Sequence, residues 1–365
     1  DQIATLTSAQ VRSLTTNQVA NMETGDIASI GTDQIKSLTS AAIAALTSDQ
    51  VPGLTSDQIS QLTTAQLRAM TTDNMARIET ADLVTMTSVQ LRSLSSAQLG
   101  ALTTDQMPAI VSSQLQSLTS GQMATLTTAN LNALTSDQFA FLTSVQVRAL
   151  SSNEIANLET ADLAALGTAQ IQVLTTSSVG ALNSTTIVAL GSDQVAALTS
   201  LQVRALNTDA LPYLETSDLQ AMGTAQLRAL TSAQFAALTS DQMAALTSAQ
   251  VPSLTTAQMG TLTTASLNAM GSDQFAYLTS VQVRALTSNQ FANLETADLA
   301  ALGSNQILAL GTASIAALTT DQVIALSSAQ LSAMSTGQLR ALTTDGIPVI
   351  ETADLQALLS NQIAA

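Results

Sequence analysis

Leu6-Thr7-Ser8-Ala9-Gln10-Val11-Arg12-Ser13 is the stretch whose reading decides the fold. Lettering these eight positions a to h, the same pattern returns at Leu14, Met22, Ile30 and onward to Leu358 without insertion or deletion. All 45 a-sites are Leu, Met or Ile, and every f-site is Val, Ile, Leu, Met or Phe. Position c is Ser or Thr without exception, from Ser8 to Ser360. Unbroken periodicity of this kind marks a repeat architecture, so residues 1–365 read as one uninterrupted octad-repeat solenoid rather than two or three ordinary domains.

A continuous helix does not suit the octad. Eight residues at about 100° each advance roughly 80° past two full turns, so the a/f stripe would precess and bury no constant face. Short helices separated by corners do suit it. With Thr7 as N-cap, Gln10 occupies N3, the capping-box spacing. Leu6 at N′ and Val11 at N4 then form a hydrophobic staple. Acids gather at b, d and e in the first turn while nine of the ten bases stand at g, the polarity a helix dipole favours. Pro52, Pro108, Pro212, Pro252 and Pro348 all fall at g, where a proline is tolerated only if the amide is dispensable. The spacing therefore predicts regular helix over c to f, and an all-α solenoid wound tightly from one-turn helices, one per repeat. A small residue at h suits close approach of neighbouring coils. The strictness of c is the one fact this scheme leaves open: either c caps in some units, or its hydroxyl bonds an adjacent coil. A β-solenoid with Ser/Thr and Gln ladders is the alternative fold, opposed by the lack of period-2 alternation.

A longer period lies over the octad. Glu replaces Thr at b in Glu23, Glu79, Glu159, Glu215, Glu295 and Glu351, at spacings that alternate between seven and ten octads. The true repeat is therefore 17 octads, as the near-identity of 147–174 with 283–310 confirms. Tandem duplication explains it. Arg12 with Glu23, Arg148 with Glu159 and Arg284 with Glu295, each pair separated by the same eleven positions, are candidate inter-coil or lateral contacts.

Composition narrows function. Hydrophobic residues make up 46% of the chain, enough for a packed core, and aromatics only 2%, so Leu, Ile, Val and Ala must fill it. A net charge of −16 argues against nucleic acid and against docking on anionic lipid. The absence of Cys and His removes disulfides, thiolate metal sites and the commonest zinc ligands. No apolar run approaches the roughly 20 residues that span a bilayer, and no signal peptide is visible. The Glu-Thr-Ala-Asp segments at 79–82 and 295–298 are the one pattern open to acid–base or calcium chemistry. Six near-copies in a regular lattice read instead as helix-start acids, so no catalytic or metal residue is assigned and the chain reads as a non-enzyme. Rows of Thr and Ser also suit ice binding, although capping competes for the same hydroxyls. Cap-less termini suggest a window of a longer array or a filament subunit.

The octad L-T-[ST]-x-Q-[IV]-x-A, as in 46–53 and 238–245, resembles the LTTxQI-type repeat arrays of very large bacterial secreted or surface proteins, adhesin-like or exoprotein-like. The resemblance covers the whole chain and carries no site residues. It implies an extended extracellular body: a rod- or filament-forming stalk, fibre or matrix component that self-associates at the bacterial surface. A binding scaffold for a cell-surface or carbohydrate partner is the rival expectation.

Overall fold

The structure is a computed structural model that describes residues 2–363. It carries one short helix per octad and, among the described residues, no strand, which removes the β-solenoid alternative. The α-helices are four to six residues long: Thr32–Ile35, Ser8–Arg12 and Ser56–Gln61 show the range. Each begins at c, as expected, but most run through g or h rather than stopping at f. The reason is that where g is not proline its amide stays usable, as when Ala76 N–H donates to Thr72 O at 3.2 Å. Where g is proline, that bond is lost and the octad becomes a turn followed by a 3-10 helix, as at Val51–Gly53, Met107–Ala109, Leu211–Tyr213, Val251–Ser253 and Ile347–Val349.

The corners use ordinary backbone. Leu62 at a (φ −59°, ψ 136°) and Thr63 at b (φ −71°, ψ 156°) are both extended. No described residue has positive φ, so two extended residues turn the chain without glycine. Thr and Ser at b cap the helix that follows: Thr255 Oγ1 accepts from Gln258 N–H at 3.2 Å, and Gln258 Oε1 accepts from Thr255 N–H at 2.8 Å. The capping box is formed as the sequence predicts.

The chain divides into two compact units, Asp1–Ala181 and Leu182–Ala365. In the first, the helical octads wind into a superhelix in which each octad packs on the one three positions ahead, as Ser40–Ala44 does on Thr64–Ala69. Its f residues from Val11 onward are buried (Leu67, Leu91, Phe139 and Val147 at 0%), as are its a residues from Ile30 onward, whereas Leu6, Leu14 and Met22 are half-buried. The second unit winds in the same way, with Ser192–Ala197 against Thr216–Ala221 and Ser272–Tyr277 against Thr296–Ala301. Phe235, Phe275 and Phe291 are its largest fully buried side chains. A line of Leu, Ile, Val, Met and Phe at a and f is thus the apolar core of each unit. Position h lies where coils meet: a Cβ on Gly53 would stand 3.1 Å from Thr24 Cβ and 3.2 Å from Thr24 O, a tight contact for which the neighbouring coil must give way by a few tenths of an ångström.

Candidate functional site

The residue that ties one coil to the next is the glutamine at e. Its Oε1 serves the capping box, which leaves its Nε2 amide to reach across the coil boundary. Gln258 Nε2 donates to Leu227 O at 2.8 Å and to Leu230 O at 3.0 Å, 31 and 28 residues earlier in the chain. Gln58, Gln66, Gln98 and Gln146 in the first unit repeat this pair, as do Gln242, Gln282 and Gln330 in the second. The acceptors are the carbonyls of f and a, which the short helices leave without a full set of partners. Inter-coil returns of 25 to 31 residues set the coil at between three and four octads. These glutamines are buried (Gln58, Gln146 and Gln258 at 1%), so each donation replaces an otherwise costly unpaired group in the interior.

Position c does not cap. Its hydroxyl lies at N1, and in a number of octads where c is serine it bonds the following coil. Ser40, Ser88 and Ser280 donate to the carbonyls of Ala65, Ser113 and Asn305, 25 residues ahead. A second set of c serines meets a side chain instead. Ser56, Ser136, Ser192, Ser272 and Ser328 donate to Oδ1 of Asp82, Asp162, Asp218, Asp298 and Asp354, 26 residues ahead. These aspartates are the e residues of the Glu-Thr-x-Asp octads. They stand where other octads carry the bridging glutamine, and they cannot donate as it does. Glu at b makes no side-chain cap here, and the N3 amide turns back to the b carbonyl, as Asp298 N–H does to Glu295 O at 3.2 Å.

The consequence is that each unit holds buried carboxyls. Asp162, Asp218 and Asp298 are 2–3% exposed, and burial pushes each above the ordinary carboxyl range. The hydroxyl donated by Ser136, Ser192 or Ser272 works against that shift, and Glu159, Glu215 or Glu295 adds to it. Oδ2 of Asp162 and Oδ2 of Asp298 are buried without a hydrogen-bond partner, as are Oδ1 of Asn132 and Oδ1 of Asn268. Among the described residues no group of three or more acidic ligands could hold a metal ion.

Arg12, Glu23, Arg148, Glu159, Arg284 and Glu295 are all exposed. The ion pair formed among the described residues is Lys36–Asp33 at 3.7 Å, so the expected Arg12–Glu23, Arg148–Glu159 and Arg284–Glu295 pairs are not made. The coil length explains this. Eleven positions fall far short of the three to four octads that bring chain segments together on successive coils, so these pairs do not bridge coils as the spacing first suggested. Beside two of these arginines lie uncovered apolar groups. Phe141 (51% exposed) and Val145 (66%) precede Arg148, and Tyr277 (50%) and Val281 (66%) precede Arg284, as the 17-octad period requires. No helix is long and apolar enough to cross a membrane among the described residues.

Comparison with known families agrees with this architecture. The ALTTAQ repeat model matches residues 19–56, 75–112, 115–152, 155–187, 179–208, 211–248, 251–288 and 291–328, well over half of the chain. No curated protein matches it. The chain belongs to the ALTTAQ repeat family, an octapeptide-type repeat array.

Proposed function

We propose that this ALTTAQ-repeat chain is a structural component: a rod- or filament-forming body outside a bacterial cell, of the kind used as stalk, fibre or matrix, and not an enzyme. The observation that carries the reading is the glutamine bridge. The same side chain makes the same two inter-coil bonds along each unit, so the polar chemistry of the interior is spent on continuing the coil. A catalytic or ligand site normally interrupts such regularity with a cleft and convergent polar groups. The extracellular and bacterial setting rests on the resemblance to secreted LTTxQI arrays.

Lateral self-association is part of the proposal. Phe141 and Val145 beside Arg148, and Tyr277 and Val281 beside Arg284, combine exposed apolar surface with an unpaired guanidinium, the composition enriched at interface centres. Glu159 and Glu295 stay exposed as acidic counterparts for a second copy. Electron microscopy of the purified protein, with sedimentation velocity, tests this. Fibres or laterally paired particles are expected, reduced by Phe141→Ser with Tyr277→Ser and by Glu159→Thr with Glu295→Thr. Monodisperse particles that these substitutions leave unchanged would overturn it. The same exposed residues favour the second reading, a surface scaffold that holds a partner. Discrete particles that bind a cell surface only with Phe141 and Tyr277 intact would decide for it.

A further inference from the structure

The geometry points to proton binding at two e-aspartates of the second unit: on acidification Asp218 and Asp298 take up a proton on Oδ2 and donate it to the coil beneath, completing the bridge that glutamine makes elsewhere. In a glutamine octad such as that of Gln258, the amide reaches the carbonyls 31 and 28 residues earlier. For Asp298 those are Leu267 O and Met270 O, and for Asp218 they are Ile187 O and Leu190 O. The carbonyls of Met270 and Leu190 receive no hydrogen bond among the described residues. The carboxyl above each is held by one oxygen only: Oδ1 accepts from Ser272 Oγ (2.9 Å) in one case and Ser192 Oγ (2.6 Å) in the other. Oδ2 of Asp298 is buried and partnerless. In the register of Asn74, whose Nδ2 reaches Leu46 O 28 residues earlier at 2.8 Å, a carboxyl at e is placed toward this acceptor, where the ionised form has no donor and the neutral acid supplies one. At Asp298 proton uptake removes both faults at once, and at Asp218 it satisfies the unpaired carbonyl.

The surroundings are mostly acidic. The helix Ser272–Tyr277, packed against Thr296–Ala301, carries Asp273 and Tyr277; Thr320–Ile324 on the other side carries Asp321; Glu295 precedes the slot. Around Thr216–Ala221, Ser192–Ala197 carries Asp193 and Ser240–Ala244 carries Asp241, with Glu215 adjacent. Tyr213 and Arg228 stand on the chain-adjacent elements Leu211–Tyr213 and Thr224–Ala229. Ser184–Ile187 and Thr264–Asn268, in the octads that supply the carbonyls, carry no titratable group. Burial first, and then Glu215 or Glu295, raise both acids above their ordinary value. A carboxyl with a raised folded pKa weakens the fold above that pKa. The loss is relieved as pH falls through it, and has vanished below the unfolded value. Acidification from neutrality therefore tightens these coils.

Thermal melts of the full chain from pH 7.5 to pH 4 test this, comparing wild type with Asp218→Asn/Asp298→Asn, whose amides are permanent donors. The Asn variant is expected to melt higher than wild type at pH 7.5, by about 2–4 °C per site in a unit of this size. It should also gain less on acidification. The control Asp193→Asn/Asp273→Asn changes net charge equally at exposed positions and keeps the wild-type slope. Equal slopes in wild type and the Asn variant would overturn the proposal. So would a wild-type melt raised at pH 7.5 by calcium chloride and lowered again by chelator, which would assign the slots to a cation. If the Asn variant does not fold, carbon-13 titration of the side-chain carboxyls in the wild-type chain decides instead. Midpoints for Asp218 and Asp298 above those of exposed Asp193 and Asp273 support the proposal, and midpoints at or below them refute it.

Discussion

Glu154 is the one glutamate at position e in the whole chain, and its duplicate 17 octads later is Gln290. The two sites share a fold position and differ in one functional group, so exchanging them isolates the bridging donation. Gln290 accepts from Thr287 N–H at 2.7 Å and donates to Met259 O at 3.1 Å and Leu262 O at 2.8 Å. Glu154 keeps the first contact, with Oε2 accepting from Ser151 N–H at 2.6 Å, and has nothing to donate to Met123 O and Leu126 O. Met123 O still receives Leu126 N–H at 3.2 Å, whereas Leu126 O is left without a donor among the described residues. Both side chains are buried, at 7% and 4% exposure.

Glu154→Gln is therefore expected to stabilise. Two new neutral bonds at roughly 0.5–1.5 kcal/mol each, one of them satisfying a buried acceptor, amount to about 1–3 kcal/mol. Gln290→Glu is expected to cost roughly 1–3 kcal/mol, since it leaves Leu262 O unpaired. Long repeat arrays depart from two-state unfolding, so a local observable is preferable to a single melting point. Amide hydrogen exchange read by mass spectrometry over 123–155 and 259–291 supplies it. At about 1.4 kcal/mol per decade, exchange in the first segment should slow roughly fivefold to a hundredfold in Glu154→Gln and quicken comparably in the second for Gln290→Glu. Shifts in the same direction, or both within about twofold of wild type, would refute the claim that the e-amide joins the coils.

Three further outcomes are expected. Thr255→Ala removes a cap whose Oγ1 accepts from Gln258 N–H and should cost about 0.5–2 kcal/mol, while Thr256→Ala, one residue on at c, should stay within about 0.5 kcal/mol; denaturant melts of the two variants measure the contrast. Ala244→Pro places proline at g of a normal octad and should cost less than the roughly 3 kcal/mol of an interior proline, because the octad can take the 3-10 path of Val251–Ser253; circular dichroism should show a folded chain, and its unfolding would be the contrary result. Ser272→Ala deletes the side-chain donor to Asp298 and with it the one influence holding that carboxyl down, so its carbon-13 titration midpoint should rise further; a fall would contradict the assignment.

Much of this structure is legible in eight letters. The Thr–x–x–Gln spacing announces a helix start, proline at g marks an expendable amide, and the a/f pair names the core. Local rules suffice for these because each involves residues three to five apart. What the octad conceals is how far the chain travels before meeting itself, since coil length depends on the summed corner angles of several octads. The Arg–Glu pairs were misplaced for that reason: a spacing of under two octads looks meaningful only while the return of three to four is unknown. Position c was opaque for a related one, because the partners of Ser40 and Ser272 stand 25 and 26 residues ahead. Yet a trace of the inter-coil contact was present at e. A capping box accepts Glu as readily as Gln, and Glu is the commoner solvent-facing choice in an acidic chain. Here, across the octads from Leu6 onward, Gln fills 29 of the e-sites and Glu one. Capping alone does not explain that bias; a requirement for a donor does. The six aspartates at e stand as exceptions on the same logic. Each lacks the amide, and the five whose partner octad falls within the chain have a serine 26 residues earlier, in place of the threonine that c equally permits. The hydroxyl at c and the amide at e thus answer one need, the joining of coils that only the folded chain brings together.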